Sequence, residues 1–134
     1  MESNLGVWRL ATHLDVELTV EFTEKVAYAY VRRDNAIVGD VWLFNRGATP
    51  TIAPWKVARS PSDAPFMNSA DYVGPGGEDR ISTINNLSAR FDERTNDFEV
   101  RRDGVVIALL AVGDKPGGSY LAVRSGPLAV TIEE

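Results

Sequence analysis

The sequence predicts an all-β fold: an antiparallel barrel or sandwich of about eight strands, with one long loop rich in proline and glycine. Three observations predict it. Residues 8–22 alternate with period 2, the pattern of a strand with one buried face; Trp8, Leu10, Leu14, Val16, Leu18, Val20 and Phe22 fall on the even positions. Two dipeptides with hairpin-turn chemistry, Asp34-Asn35 and Asp103-Gly104, each separate runs rich in β-branched and aromatic residues. No stretch carries a convincing helical stripe.

Taken in order, residues 8–22 would span roughly 50 Å as one strand, far beyond the usual ~17–20 Å, so the stretch is expected to bend or to pass from one sheet to another. Residues 23–25 make a tight connection to a strand at 26–33, and 36–45 return after the Asp34-Asn35 turn. With Arg33 opposite Ala36, this hairpin sets Tyr30 against Gly39, Ala29 against Asp40, Tyr28 against Val41 and Ala27 against Trp42. Both its faces are then apolar, and the second needs a cover: a second sheet, a folded-over loop or another subunit.

Residues 46–79, with Pro50, Pro54, Pro61, Pro65 and Pro75, have no sustained periodicity. They form a long loop, uncommon in a compact domain unless it serves a function. Ile52, Trp55, Val57, Phe66, Met67, Tyr72 and Val73 let it pack down on a sheet. Residues 80–92 favour strand over helix, because Ser82, Thr83, Asn85, Asn86 and Ser88 are poor helix formers. The hairpin of 98–102 and 105–112, with Arg102 opposite Val105, has a central second strand. Residues 119–124 and 128–132 alternate again around a turn at 125–127.

A chain of 134 residues is a single all-β domain, 1–134, by length. Its net charge of −5 argues against nonspecific nucleic-acid binding. With no cysteine, disulfides, thiolate metal sites and cysteine nucleophiles are excluded. Neither a secretory leader nor an apolar run of membrane-spanning length is visible, so a cytoplasmic protein without membrane contact is the default expectation.

The segments Gly39-Asp40-Val41-Trp42-Leu43-Phe44-Asn45, Pro54-Trp55, Lys115-Pro116-Gly117-Gly118-Ser119 and Gly126-Pro127-Leu128-Ala129 resemble a group of short bacterial all-β orphan proteins of the kind carried by integron gene cassettes. The resemblance covers about a third of the chain in scattered words, and implies no activity, ligand or catalytic residue.

Candidate chemistry is sparse. His13, the only histidine, would share a strand side with Asp15, Glu17 and Glu21, so that a carboxylate could fix its tautomer for general-base work; a solvated polar face is the plainer reading. One histidine among carboxylates at strand spacing is no convergent metal-ligand set, and no cofactor motif is present. Asp40 stands between Val38 and Trp42, so its carboxylate needs an Arg or Tyr partner or its pKa must rise. Tyr28, Tyr30, Trp42, Phe44 and Trp55 offer an aromatic ligand platform, or simply core. The expectation is a non-enzymatic binding module for an apolar small molecule or a protein partner, self-associating as a homodimer. The alternative is a small β-barrel isomerase, cyclase or hydrolase using Asp40 or His13 as acid–base.

Overall fold

The computed structural model describes residues 5–57 and 66–132. Within them, β1 (Gly6–His13), β2 (Val16–Phe22), β3 (Val26–Arg33) and β4 (Ala36–Asn45) form one sheet in sequence order. A second sheet holds β5 (Leu87–Asp92), β6 (Asp97–Arg102), β7 (Val105–Leu110), β8 (Gly118–Ser119) and β9 (Val130–Thr131), again in order. Every neighbouring pair is antiparallel except β8 and β9, which run parallel. Two open sheets stacked face to face make a sandwich, not a closed barrel.

The 8–22 stretch is two strands, not one long bent strand. It turns back at Leu14-Asp15, with His13 opposite Val16. Leu14 holds φ +53 and is 90% exposed, so neither turn chemistry nor polarity marks the reversal. A two-residue loop on its own pairs odd positions with even ones. An irregularity between Arg9 and Ala11 restores the parity, setting Trp8 against Val20 and Gly6 against Phe22. The period-2 pattern therefore runs through the turn unbroken.

Asp34 and Asn35 both take positive φ, +50 and +69, as a tight hairpin turn demands. Past Ile37 the register departs from simple pairing: Val31 faces Gly39, Tyr30 faces Asp40, Ala29 faces Val41, Tyr28 faces Trp42, and a second irregularity brings Phe44 opposite Ala27. The expected pairs Tyr30 with Gly39 and Ala29 with Asp40 are thus corrected by one position. The hairpin of β6 and β7 turns at Asp103 and Gly104, φ +51 and +82, and it too contains an irregularity, after which Val100 faces Ala108 and Phe98 faces Leu110.

The core lies between the sheets. Leu18, Val20, Ala29, Val31, Val41 and Phe44 from the first meet Phe98, Val100, Ala108 and Leu110 from the second, all fully buried. Trp8, Phe22 and Phe44 form an edge-to-face run with centroids 5.5 and 5.9 Å apart. The outer edge of β4 is not free. Asp40 N donates to Asp114 O, Trp42 N to Leu128 O and Asn45 N to Gly77 O, while Asp40 O accepts from Gly117 N. A Cβ on Gly39 would lie 2.8 Å from Ala111 O, which is why this edge needs glycine there.

The remaining segments depart from simple strands. Thr83 caps a 3-10 turn at Ile84–Asn86 before β5 begins, so only the second half of 80–92 is strand. The expected strands 119–124 and 128–132 shrink to β8 and β9, of two residues each. Residues 120–124 pair with the long loop instead: Gly74 N donates to Leu121 O and Val123 N to Tyr72 O. The loop keeps its first and last thirds in place, and its centre, 58–65, lies outside the described residues.

Asp79 pins the end of that loop. Its carboxylate accepts from Ile81 N at 3.0 Å, Ser82 N at 2.9 Å, Ser82 Oγ at 2.6 Å and Arg102 Nη1 at 2.9 Å. Burial alone would raise its pKa, but the hydrogen bonds from Ser82 and Ile81 and the Arg102 charge outweigh it and hold the carboxyl below its usual range. A depressed folded pKa stabilises the fold above the unfolded value of ~3.9 and loses that contribution as pH falls through the lower folded value. Asp79→Asn should therefore lower stability at pH 7 by about 1 kcal/mol, allowing for solvent screening, and flatten the acid limb of stability against pH. Urea unfolding from pH 7 down to pH ~2 checks it.

Candidate ligand-binding cleft

The corrected register decides what the outer face of the first sheet displays. Cross-strand pairs place Glu21 opposite Tyr28, Thr19 opposite Tyr30, and Tyr30 opposite Asp40. Partners directly opposite share a face. Two neighbouring rows across β2, β3 and β4, Glu21–Tyr28–Trp42 and Thr19–Tyr30–Asp40, therefore bring two phenols and two carboxylates to the side turned away from the second sheet.

The described parts of the long loop fold over these rows. Trp55, on the short helix α1 (Pro54–Val57), and Phe66 pack down on the first sheet together with buried Met67. Between them and the sheet lies an open cleft of about 530 Å³, lined by Glu21, Tyr28, Tyr30, Ile37, Asp40, Trp55, Phe66, Pro127 and Leu128. Tyr28 and Tyr30 stack at 5.8 Å, and Trp55 is steadied edge-on by Tyr72 at 5.1 Å.

Asn45, at the end of β4, ties the loop to the sheet. Fully buried, its Oδ1 accepts from Trp42 Nε1 at 2.9 Å and from Asn68 N at 3.1 Å. Its Nδ2 donates to Asn68 O at 2.8 Å and Thr49 Oγ1 at 3.1 Å. Sequence reasoning missed Asn45, since an asparagine at a strand end looks like a turn residue. The available signal was the buried indole three residues earlier, which needs an acceptor.

Burial sets the electrostatics. It raises the Tyr28 phenol, helped by Tyr30 and Asp40, and the Tyr30 phenol, helped chiefly by Glu21, so both stay protonated donors near neutral pH. Tyr30 Oη donates to Glu21 Oε1 at a long 3.3 Å. Asp40 is pushed up by burial, an effect that Lys115 partly offsets. No hydrogen-bond donor reaches its carboxylate among the described residues, which leaves it free to accept one from a ligand.

Of the residues singled out in the sequence, Tyr28, Tyr30, Asp40 and Trp55 surround this one cleft. Trp42 and Phe44 do not, being fully buried: Trp42 is held by Asn45, and Phe44 faces the sandwich interior against Phe22. His13 and Asp15 do not share a strand side, because the turn at Leu14-Asp15 separates them. His13 stacks on Phe91 with centroids 3.7 Å apart, and Asp15 pairs with Arg33 at 2.9 Å. Of the two carboxylates placed beyond them, Glu17 pairs with Arg9 at 3.6 Å, and Glu21 stands in the cleft. Among the described residues no three His, Asp or Glu side chains come together as a metal-ligand set, and no helix is long and apolar enough to cross a membrane.

A larger open concavity, about 950 Å³, lies on the second sheet along Val105, Val106, Tyr120, Leu121 and Ile132. Arg102, the one cation that lines it among the described residues, is already committed to Asp79 and to Gly76 O. The smaller cleft has the convergent polar groups that a ligand site needs. Comparison with protein-family models, with curated proteins and with solved structures finds no match.

Proposed function

We propose that this protein is a binding module that takes a small, largely apolar molecule in the cleft between the outer face of the first sheet and the long loop. The observation that supports it is the coincidence, in one cleft, of stacked aromatic faces with a carboxylate, Asp40, that no donor among the described residues reaches. The interior between the sheets is packed and apolar, so the outer face is where a ligand finds room.

The competing reading is an acid–base enzyme at Asp40. Burial beside two phenols favours it, since a raised carboxyl titrates closer to neutral pH. Saturation-transfer NMR against a fragment set, with each ligand then recovered, separates the readings. Saturation that is lost in Trp55→Ala, with fragments returned unchanged, supports binding. Turnover that Asp40→Asn abolishes would move the protein to the enzyme class.

A two-fold homodimer is a separate proposal. It is motivated by two hairpins apolar on more than one face, and Trp55, Phe66 and Met67 of the loop pack over the first of them. The membership of integron-cassette orphans is likewise a proposal, carried by the four sequence words alone.

A further inference from the structure

The charges around the cleft narrow the ligand class, and the inference drawn from them rests on the binding reading above. Two carboxylates, Glu21 and Asp40, line it, and among the described residues no Lys, Arg or His does. Four aromatic side chains, Tyr28, Tyr30, Trp55 and Phe66, supply its walls. An aromatic face carries negative potential, so rings and carboxylates here act with the same sign. An anion would meet both. A neutral molecule would gain apolar contact but bring no positive charge to offset the desolvation of the carboxylates.

The surface already accepts a cation at its margin. The Arg32 guanidinium lies over the Tyr30 ring at 5.4 Å while its Nε donates to Thr19 Oγ1 at 3.1 Å. A second cation among the described residues, Lys115, is close enough to Asp40 to draw its carboxyl down somewhat, and makes no ion pair with it. Neither one satisfies the carboxylate. A net charge of −5 adds long-range attraction for positive ligands.

We infer that the cleft recognises a small organic cation, an alkylated ammonium whose apolar substituents rest against Tyr28, Tyr30, Trp55 and Phe66 while its charge faces Asp40 and Glu21. The rings supply cation–π attraction and apolar contact together. Asp40 supplies the charge that discriminates an ammonium from a hydrocarbon of the same shape.

Choline, 3,3-dimethylbutan-1-ol and 3,3-dimethylbutanoate share a branched shape and differ in charge. Each is titrated into the full chain while NMR follows the Trp55 indole N–H and the amides of Tyr30 and Asp40. Choline is expected to bind about tenfold more tightly than the alcohol, and the carboxylate more weakly than either. Asp40→Asn should bring choline down to the alcohol's affinity, leaving the alcohol unchanged and the melting temperature equal or higher. Glu21→Gln gives a second readout of the same kind should the first variant fold poorly. An alcohol that binds as tightly as choline overturns the cation inference and leaves the binding reading standing. If none of the three moves these signals, both fall.

Discussion

Asn45→Ala is expected to lower the unfolding free energy by about 3 kcal/mol, from at least two buried groups that lose their partner at ~1–3 kcal/mol each. The deletion strands the Trp42 indole N–H, which is fully buried, and both the N–H and the carbonyl of Asn68. Water cannot replace these partners without entering beneath the loop. The same deletion cuts the tie that sets Trp55 and Phe66 over the sheet, so the loss has a local signature as well as a global one. Urea unfolding measures the first. Hydrogen exchange at the Asn68 amide measures the second: it should lose protection well before the amides of β3 do. Asn45→Asp keeps the acceptor but not the donor, and should fall between wild type and the alanine variant.

Phe44→Ala should cost about 3–5 kcal/mol, the range for a large aromatic removed from a packed core. Its ring is fully buried, meets Phe22 edge-on at 5.9 Å, and has the Arg102 guanidinium at 5.2 Å from its centroid. Neighbours on both sheets would have to close a phenyl-sized hole. The fraction that stays folded should bind cleft ligands as wild type does, because Phe44 faces the opposite side of β4 from Asp40. Chemical denaturation together with a ligand titration checks both halves. A variant of full stability that no longer binds would return Phe44 to the ligand platform that its sequence context suggests.

The fold class and two of the three hairpins closed by two-residue turns were legible because their causes are local. Asp34-Asn35 and Asp103-Gly104 tolerate positive φ, and the flanking runs alternate. The first hairpin was not legible, since Leu14 is a poor residue for its own conformation and an irregularity near Leu10 carried the alternation across the turn. Registers failed for a related reason. A bulge in a run such as 37–44, apolar on both faces apart from Asp40, leaves no mark in the pattern, yet it moved Asp40 from beside Ala29 to beside Tyr30.

The site was partly legible on the same grounds. Asp40 stood out as a carboxylate among apolar neighbours, and Trp55 as an aromatic in a loop too long to be idle. Their meeting with Tyr28 and Tyr30 depends on how the loop folds, and that is set by Asn45 and Asn68, 23 residues apart. No local pattern connects those two. His13 and Asp15 misled for the opposite reason: a two-residue spacing puts side chains together only if the strand continues, and here it turns.

The proposed site lies on the outer face of β2, β3 and β4, beneath the loop. Intermolecular nuclear Overhauser effects from the methyl protons of bound choline test it most directly. Contacts to the ring protons of Tyr28, Tyr30 and Trp55 are the expected result. Contacts instead to Val105 and Tyr120, on the concavity of the second sheet, would contradict it.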